Sequence, residues 1–197
     1  MSTSTMIGLG VLVIVIFYLI SIYNKLVTLK NRFKNGFSQI DVQLQRRHDL
    51  IPNLVNAAKA FMSHEKETLE NVISARNQAT QATKSAAKHP EDATAVKKLS
   101  GAENILNKAL ANFYAVAEAY PDLKANETIQ QLMEELSSTE NKVSFARQAY
   151  NDFVMAYHTY REQFPNNFIA GFFGFKETAL FELEDIEAKK AVKVSFD

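Results

Sequence analysis

The side chains able to do chemistry in this chain are few, and they stand apart. Its four histidines, at 48, 64, 89 and 158, lack the short spacing by which one helix or turn presents two ligands to one metal. There is no H-E-x-x-H, no E-x-x-H pair of the di-iron type, no G-x-S-x-G and no phosphate-cradling glycine loop. Cysteine is absent, which removes thiolate nucleophiles, thiolate metal sites and disulfides, and fits a reducing compartment. Glu134-Glu135 reads as a solvated helix face rather than an acid/base pair. Tyr150, Tyr157 and Tyr160 recur at helical spacing and read as aromatic core rather than a cofactor slot. The sequence therefore predicts no enzyme and no catalytic, cofactor-binding or metal residue.

What remains is charge placed where a helix should be apolar. The chain divides into long helices, and the one rich in Tyr and Phe skips an apolar position at Thr139 and Glu140. If it runs antiparallel to the first helix with Asn24 opposite Phe164, Asp41 falls near Arg147 and Glu140 near Arg47 or His48. The expectation is a buried polar layer of Asp41, Arg47, Glu140 and Arg147. The alternative is a set of ordinary surface pairs.

The element that positions everything else runs from Met6 to Met62. Met6 to Tyr23 carries no charge, and as a helix it is roughly 27 Å long, close to the thickness of a hydrocarbon core. No positive leader and no small-residue cleavage site accompanies it, so it reads as a retained anchor rather than a cleaved signal. Apolar residues then thin to Leu26, Phe33, Phe37, Ile40, Leu44, Ile51, Leu54 and Val55, one stripe of an amphipathic helix. One helix should therefore leave the bilayer and continue into a soluble domain. Asn35-Gly36 and Pro52 are its weak points, and a kink near Asp49 to Pro52 competes with a restart capped by Asp49. Lys25, Lys30, Arg32 and Lys34 follow the span and no basic residue precedes it. The positive-inside bias then puts the N-terminus outside and the domain in the cytoplasm, with those four side chains beside the headgroups.

Twenty-two basic and twenty-two acidic residues argue against a nucleic-acid binder. With only four Pro and six Gly, helices should dominate. A second helix should be capped by Ser63 and decay in the Ala- and Thr-rich tract before His89-Pro90. A third runs from about Ala93 toward Pro121, YPDLKAN is the connector, and Asn126 caps a fourth helix of roughly 57 Å, matching the soluble part of the first. The predicted fold is all-α, an N-terminal transmembrane helix continuing into a long-helix antiparallel four-helix bundle. Its parts are 1–23 (tail and span), 24–164 (bundle) and 165–197 (aromatic loop and tail).

The fourth helix must return to the bilayer. Phe164 to Phe175 holds five Phe and no charge, so Phe168, Phe172, Phe173 and Phe175 are expected to contact lipid, or else to cap the open end of the bundle. The closing residues AVKVSFD alternate as an extended strand would.

These segments resemble a known family. YNKLVTLKNRFKNGFSQIDVQLQRRHDLIPNLV (Tyr23 to Val55), HEKETLENVISARNQA, YPDLKANE, TENKVSFARQAYND and FPNNFIAGFFGF are similar, in order, to blocks of the LemA family. Where many members carry Trp in the block matching Gly36 to Gln39, this chain has Phe37. The resemblance implies a single-pass bacterial inner-membrane protein with a cytoplasmic helical bundle and no catalytic residues. The family's genes often neighbour a membrane-embedded heat-shock zinc protease, and relatives have been tied to membrane shaping. Two functions follow as expectations: a membrane-anchored scaffold or adaptor for another membrane protein such as that protease, or a homo-oligomeric membrane-organising protein.

Overall fold

A computed structural model describes residues 2–183, and among these every regular element is helical. Helix α1 (Thr3–Ala58) is one uninterrupted helix, begun where the Ser2 hydroxyl accepts from the Thr5 amide. Pro52 lies inside it without ending it, so the restart at Asp49 does not occur. Gly36 is no weak point either. Its missing Cβ is what lets the fifth helix approach, because an added Cβ would sit 2.8 Å from Phe153 Cδ2 and 3.4 Å from Tyr150 Cα.

After Ala58 the chain turns around Met62, which is fully buried. That burial displaces the start of α2 (Lys66–Lys88) past Ser63, and the helix begins without a side-chain cap. The Ala- and Thr-rich tract does not decay. Thr80 and Thr83 turn their hydroxyls back onto the carbonyls of Arg76 and Ala79, and Ala79, Thr83 and Ala86 are buried. Helix α3 (Ala93–Ala117) is capped by Asp92, whose Oδ1 accepts from the Thr94 amide at 2.8 Å. YPDLKAN is not a bare connector. It holds a one-turn helix, α4 (Pro121–Ala125), with proline at its first position where no amide partner is needed. Asn126 then caps α5 (Glu127–Glu162) by accepting from Ile129 N at 3.1 Å, and α6 (Asn166–Phe172) follows.

Helix α1 lies along α5 and also packs on α2, while α2 packs on α3. The α1/α5 pair is antiparallel: Phe33 meets Tyr157, Phe37 meets Tyr150, and Arg46 Nη2 reaches Glu135 Oε1 at 2.6 Å. Two apolar clusters make up the core. The membrane-proximal one runs to Leu44, Leu99 and Val143, and the distal one begins at Ile51, Leu106 and Leu136. Between them, three helices exchange apolar for polar side chains at one level.

Candidate functional site

That level is a charge layer. Arg47 Nη1 donates to Glu103 Oε2 at 3.2 Å, Arg47 Nη2 donates to Asn107 Oδ1 at 2.6 Å, and His48 Nε2–H donates to Glu103 Oε1 at 2.8 Å. Arg47, His48 and Glu103 are all buried, and Thr139 closes the layer from α5 with its hydroxyl on Glu135 O. Glu140 stands on the rim, its carboxylate exposed and 3.9 Å from Arg47 Nη2. The buried acid is therefore Glu103, which occupies the apolar stripe of α3 between Leu99 and Leu106. Helical spacing alone could have singled it out. Asp41 and Arg147 are half-buried, and no ion pair joins them among the described residues; Asp41 Oδ1 is enclosed without a hydrogen-bond partner. A buried layer of paired charges of this kind costs desolvation and returns a fixed helix register.

The second feature lies at the membrane end of α5, where the chain past α6 turns back along the helix. Gly174, at φ +70°, makes that turn in the left-handed region that glycine adopts without strain. From Phe175 to Phe181 the extended backbone is held by a ladder of α5 side chains. Arg161 Nε donates to Phe175 O (3.0 Å), Tyr157 OH to Lys176 O (2.9 Å) and Tyr150 OH to Ala179 O (3.0 Å). His158 Nε2 accepts from Thr178 N (3.3 Å), and Asn151 grips Phe181 twice, at 2.9 and 3.2 Å. Phe181 is fully buried and Thr178 Oγ1 donates to Pro90 O. Burial pushes the Tyr150 hydroxyl up to about 12, keeping it protonated as the ladder requires, and burial, then Arg161, pulls His158 below its ordinary value. This strap was not legible beforehand, because its partners are backbone carbonyls, which no side-chain pattern advertises. The expected strand at AVKVSFD lies outside the described residues.

The aromatic loop is split by the same turn. Phe175 is buried beneath Tyr23 (ring centroids 5.6 Å apart) with Lys30 Nζ 6.0 Å from its ring, so it is core and not a lipid contact. Phe168, Phe172 and Phe173 remain exposed, joined by Phe164, which the sequence reading left out. Phe168 and Phe172 are four apart on α6 and share one face, and the Phe164 ring, before the start of α6, packs edge-on against Phe168 with centroids 5.9 Å apart. Tyr23, the last residue of the apolar stretch, touches Phe173 at 4.8 Å, which fixes α6 at the level where α1 leaves that stretch. Of the basic residues, Lys25 is exposed, Arg32 lies 5.9 Å from the Phe153 ring and Lys34 Nζ pairs with Glu91 at 3.0 Å.

These features define a class: an all-α membrane protein whose N-terminal helix is long and apolar enough to span a bilayer and whose packed helices are built on that same helix. Among the described residues no group of three His, Asp or Glu is arranged to hold a metal. The chain belongs to the LemA family, which it matches over residues 36–196. Its similarity extends to the magnetosome proteins MamQ 1 and MamQ 2 of Paramagnetospirillum magneticum, each 26% identical over 175 residues, covering 81% of this chain. The chain spans 64% of the length of those relatives. The magnetosome protein MamQ of Magnetospirillum gryphiswaldense is 25% identical over 193 residues, 89% of this chain and 71% of that protein.

Proposed function

We propose that this protein is a non-catalytic, membrane-anchored helical scaffold or adaptor of the bacterial inner membrane that presents its packed helices in the cytoplasm to another membrane protein. One observation carries the reading: α1 is a single 56-residue helix whose first third is exposed and apolar and whose remainder is the spine of the core. A rod of that kind transmits position, not chemistry. The cytoplasmic side is supported by Lys25, Lys30, Arg32 and Lys34 directly after the span. A membrane-embedded zinc protease is the partner that the family resemblance suggests.

A second reading, a homo-oligomer that organises membrane, is favoured by Val42 on α1 and Phe145 and Met155 on α5, all more than half exposed. It is also the reading closer to the names of the magnetosome relatives. The mass and composition of the particle extracted from native membranes in mild detergent decide between the two. One copy with a different membrane protein supports the adaptor. A large particle of this chain alone supports the assembly, and a bare monomer from intact membranes would contradict both.

A further inference from the structure

Helix α6 is tied to its surroundings without closing against the span. Its start is held by Asn166 Nδ2 donating to Tyr160 O at 2.9 Å, its end by the Phe175 amide donating to Ala170 O at 2.9 Å, and its Phe173 ring by Tyr23. Beside these ties a crevice of about 420 Å³ stays open, with Leu19, Ile20 and Tyr23 on the α1 wall and Ile169, Phe172 and Phe173 on the α6 wall. The Tyr23 hydroxyl is the only polar side-chain atom on those six residues. Phe172 leaves the space unfilled, because its ring packs edge-on against Phe173, centroids 5.0 Å apart, and stays exposed. Leu19 precedes Tyr23, the last residue of the apolar stretch, by four positions, so the crevice reaches about 6 Å below the end of that stretch. That is the depth at which interfacial helices sit, about 5–10 Å into the acyl boundary.

We propose that this crevice is a binding site for one acyl chain of a membrane phospholipid, held between α1 and α6. Placement is the first argument: the crevice opens beside the last turns of the apolar stretch of α1, where lipid is the surrounding medium. Chemistry is the second. A cavity lined by Leu, Ile and Phe side chains offers water no partners, stays dry and takes up hydrocarbon instead. Shape is the third, since a second helix, about 10–12 Å across, can lie over the mouth but not enter a space of this size, whereas a hydrocarbon chain bends to fill it. Because α6 is already tied at both ends, the protein loses little freedom when the chain enters. Simple contact of α6 with the bilayer would leave the neighbouring lipids free to exchange, whereas a seated chain is retained and braces α6 against α1. The site depends only on α1 spanning the bilayer, so it stands for an adaptor and for an assembly alike.

Native mass spectrometry of the full chain, extracted from membranes and exchanged into mild detergent, reads the occupant directly. The unaltered protein should carry the added mass of one phospholipid. Ile20→Trp fills the crevice from the α1 wall and Ile169→Trp fills it from the α6 wall, so each should lose that mass. Ile14→Trp, at an exposed position of the span outside the crevice, should keep it. Two filling variants from opposite walls keep the test decisive if one of them folds poorly. An unaltered protein without lipid, or retention by the filling variants equal to that of Ile14→Trp, would overturn the proposal. A lipid-free dimer would overturn it in favour of a second copy lying across the mouth.

Discussion

Arg47 on α1 and Glu103 on α3 are fifty-six residues apart in sequence and 3.2 Å apart in space, and neither side chain is more than 3% exposed. With His48 on the other carboxylate oxygen, this pair cuts the apolar core in two. Arg47→Ala would leave a buried carboxylate without its guanidinium and should cost about 3–5 kcal/mol, a melting-temperature drop on the order of 10 °C. Removing both charges with Arg47→Met and Glu103→Leu should lose much less. Arg147→Ala, at a half-buried site with no Asp41 pair, should cost under about 1 kcal/mol. Thermal melts of the three variants check this, and equal losses for Arg47→Ala and Arg147→Ala would refute the layer.

Close packing at Gly36 gives a second expectation. Gly36→Ala raises helix propensity, which alone would stabilise by up to about 1 kcal/mol. Against that, the new methyl would meet the Phe153 ring at 2.8 Å and press on the α5 backbone at Tyr150. The contact should win, with a net destabilisation of about 1–2 kcal/mol in a denaturant melt. A stabilised variant would show that α1 and α5 do not approach this closely.

The all-α class and the single rod were legible in the sequence because they rest on composition and on the spacing of Leu26, Phe33, Phe37 and Leu44. The antiparallel pairing of Phe37 with Tyr150 was legible because two long stripes can be aligned end to end. The strap was not, since Tyr150, Tyr157 and Arg161 spend their polar atoms on main-chain carbonyls. Glu103 was overlooked for another reason: the α3 stripe could be completed with Ala102, which lies beside it on the helix. Phe175 was misplaced because a glycine turn decides which aromatics face out.

Protonation should loosen the strap. His158 Nε2 accepts the Thr178 amide, so the ring must be neutral, and burial and Arg161 favour that form over the opposing pull of Glu177 and Glu162. A histidine whose folded value lies below the ordinary 6.5 contributes stability that is present above that pH and lost as pH falls through the folded value. His158→Gln, which keeps an acceptor that does not titrate, should flatten the decline of melting temperature between about pH 7 and 5. Parallel profiles for the two proteins would remove the claim.

Membrane contact by α6 is read with one fluorophore, because the chain has no Trp. Phe172→Trp, at a side chain 84% exposed, should shift to the blue and be quenched in vesicles of brominated lipid, whereas Phe175→Trp should not change when lipid is added. Silence from Phe172→Trp would leave the exposed Phe164, Phe168 and Phe172 for a protein partner.

The central claim is that one unbroken helix carries the packed domain out of the bilayer, and a distance along α1 tests it most directly. Spin labels on Phe17→Cys, inside the apolar stretch, and Val42→Cys, on the exposed face beyond Gly36, stand 25 residues apart on the same helix. Pulsed electron resonance on the full chain in lipid nanodiscs should give one narrow distribution centred at about 38 Å. A broad distribution, or one shorter by about 10 Å or more, would mean that the helix breaks where it leaves the membrane.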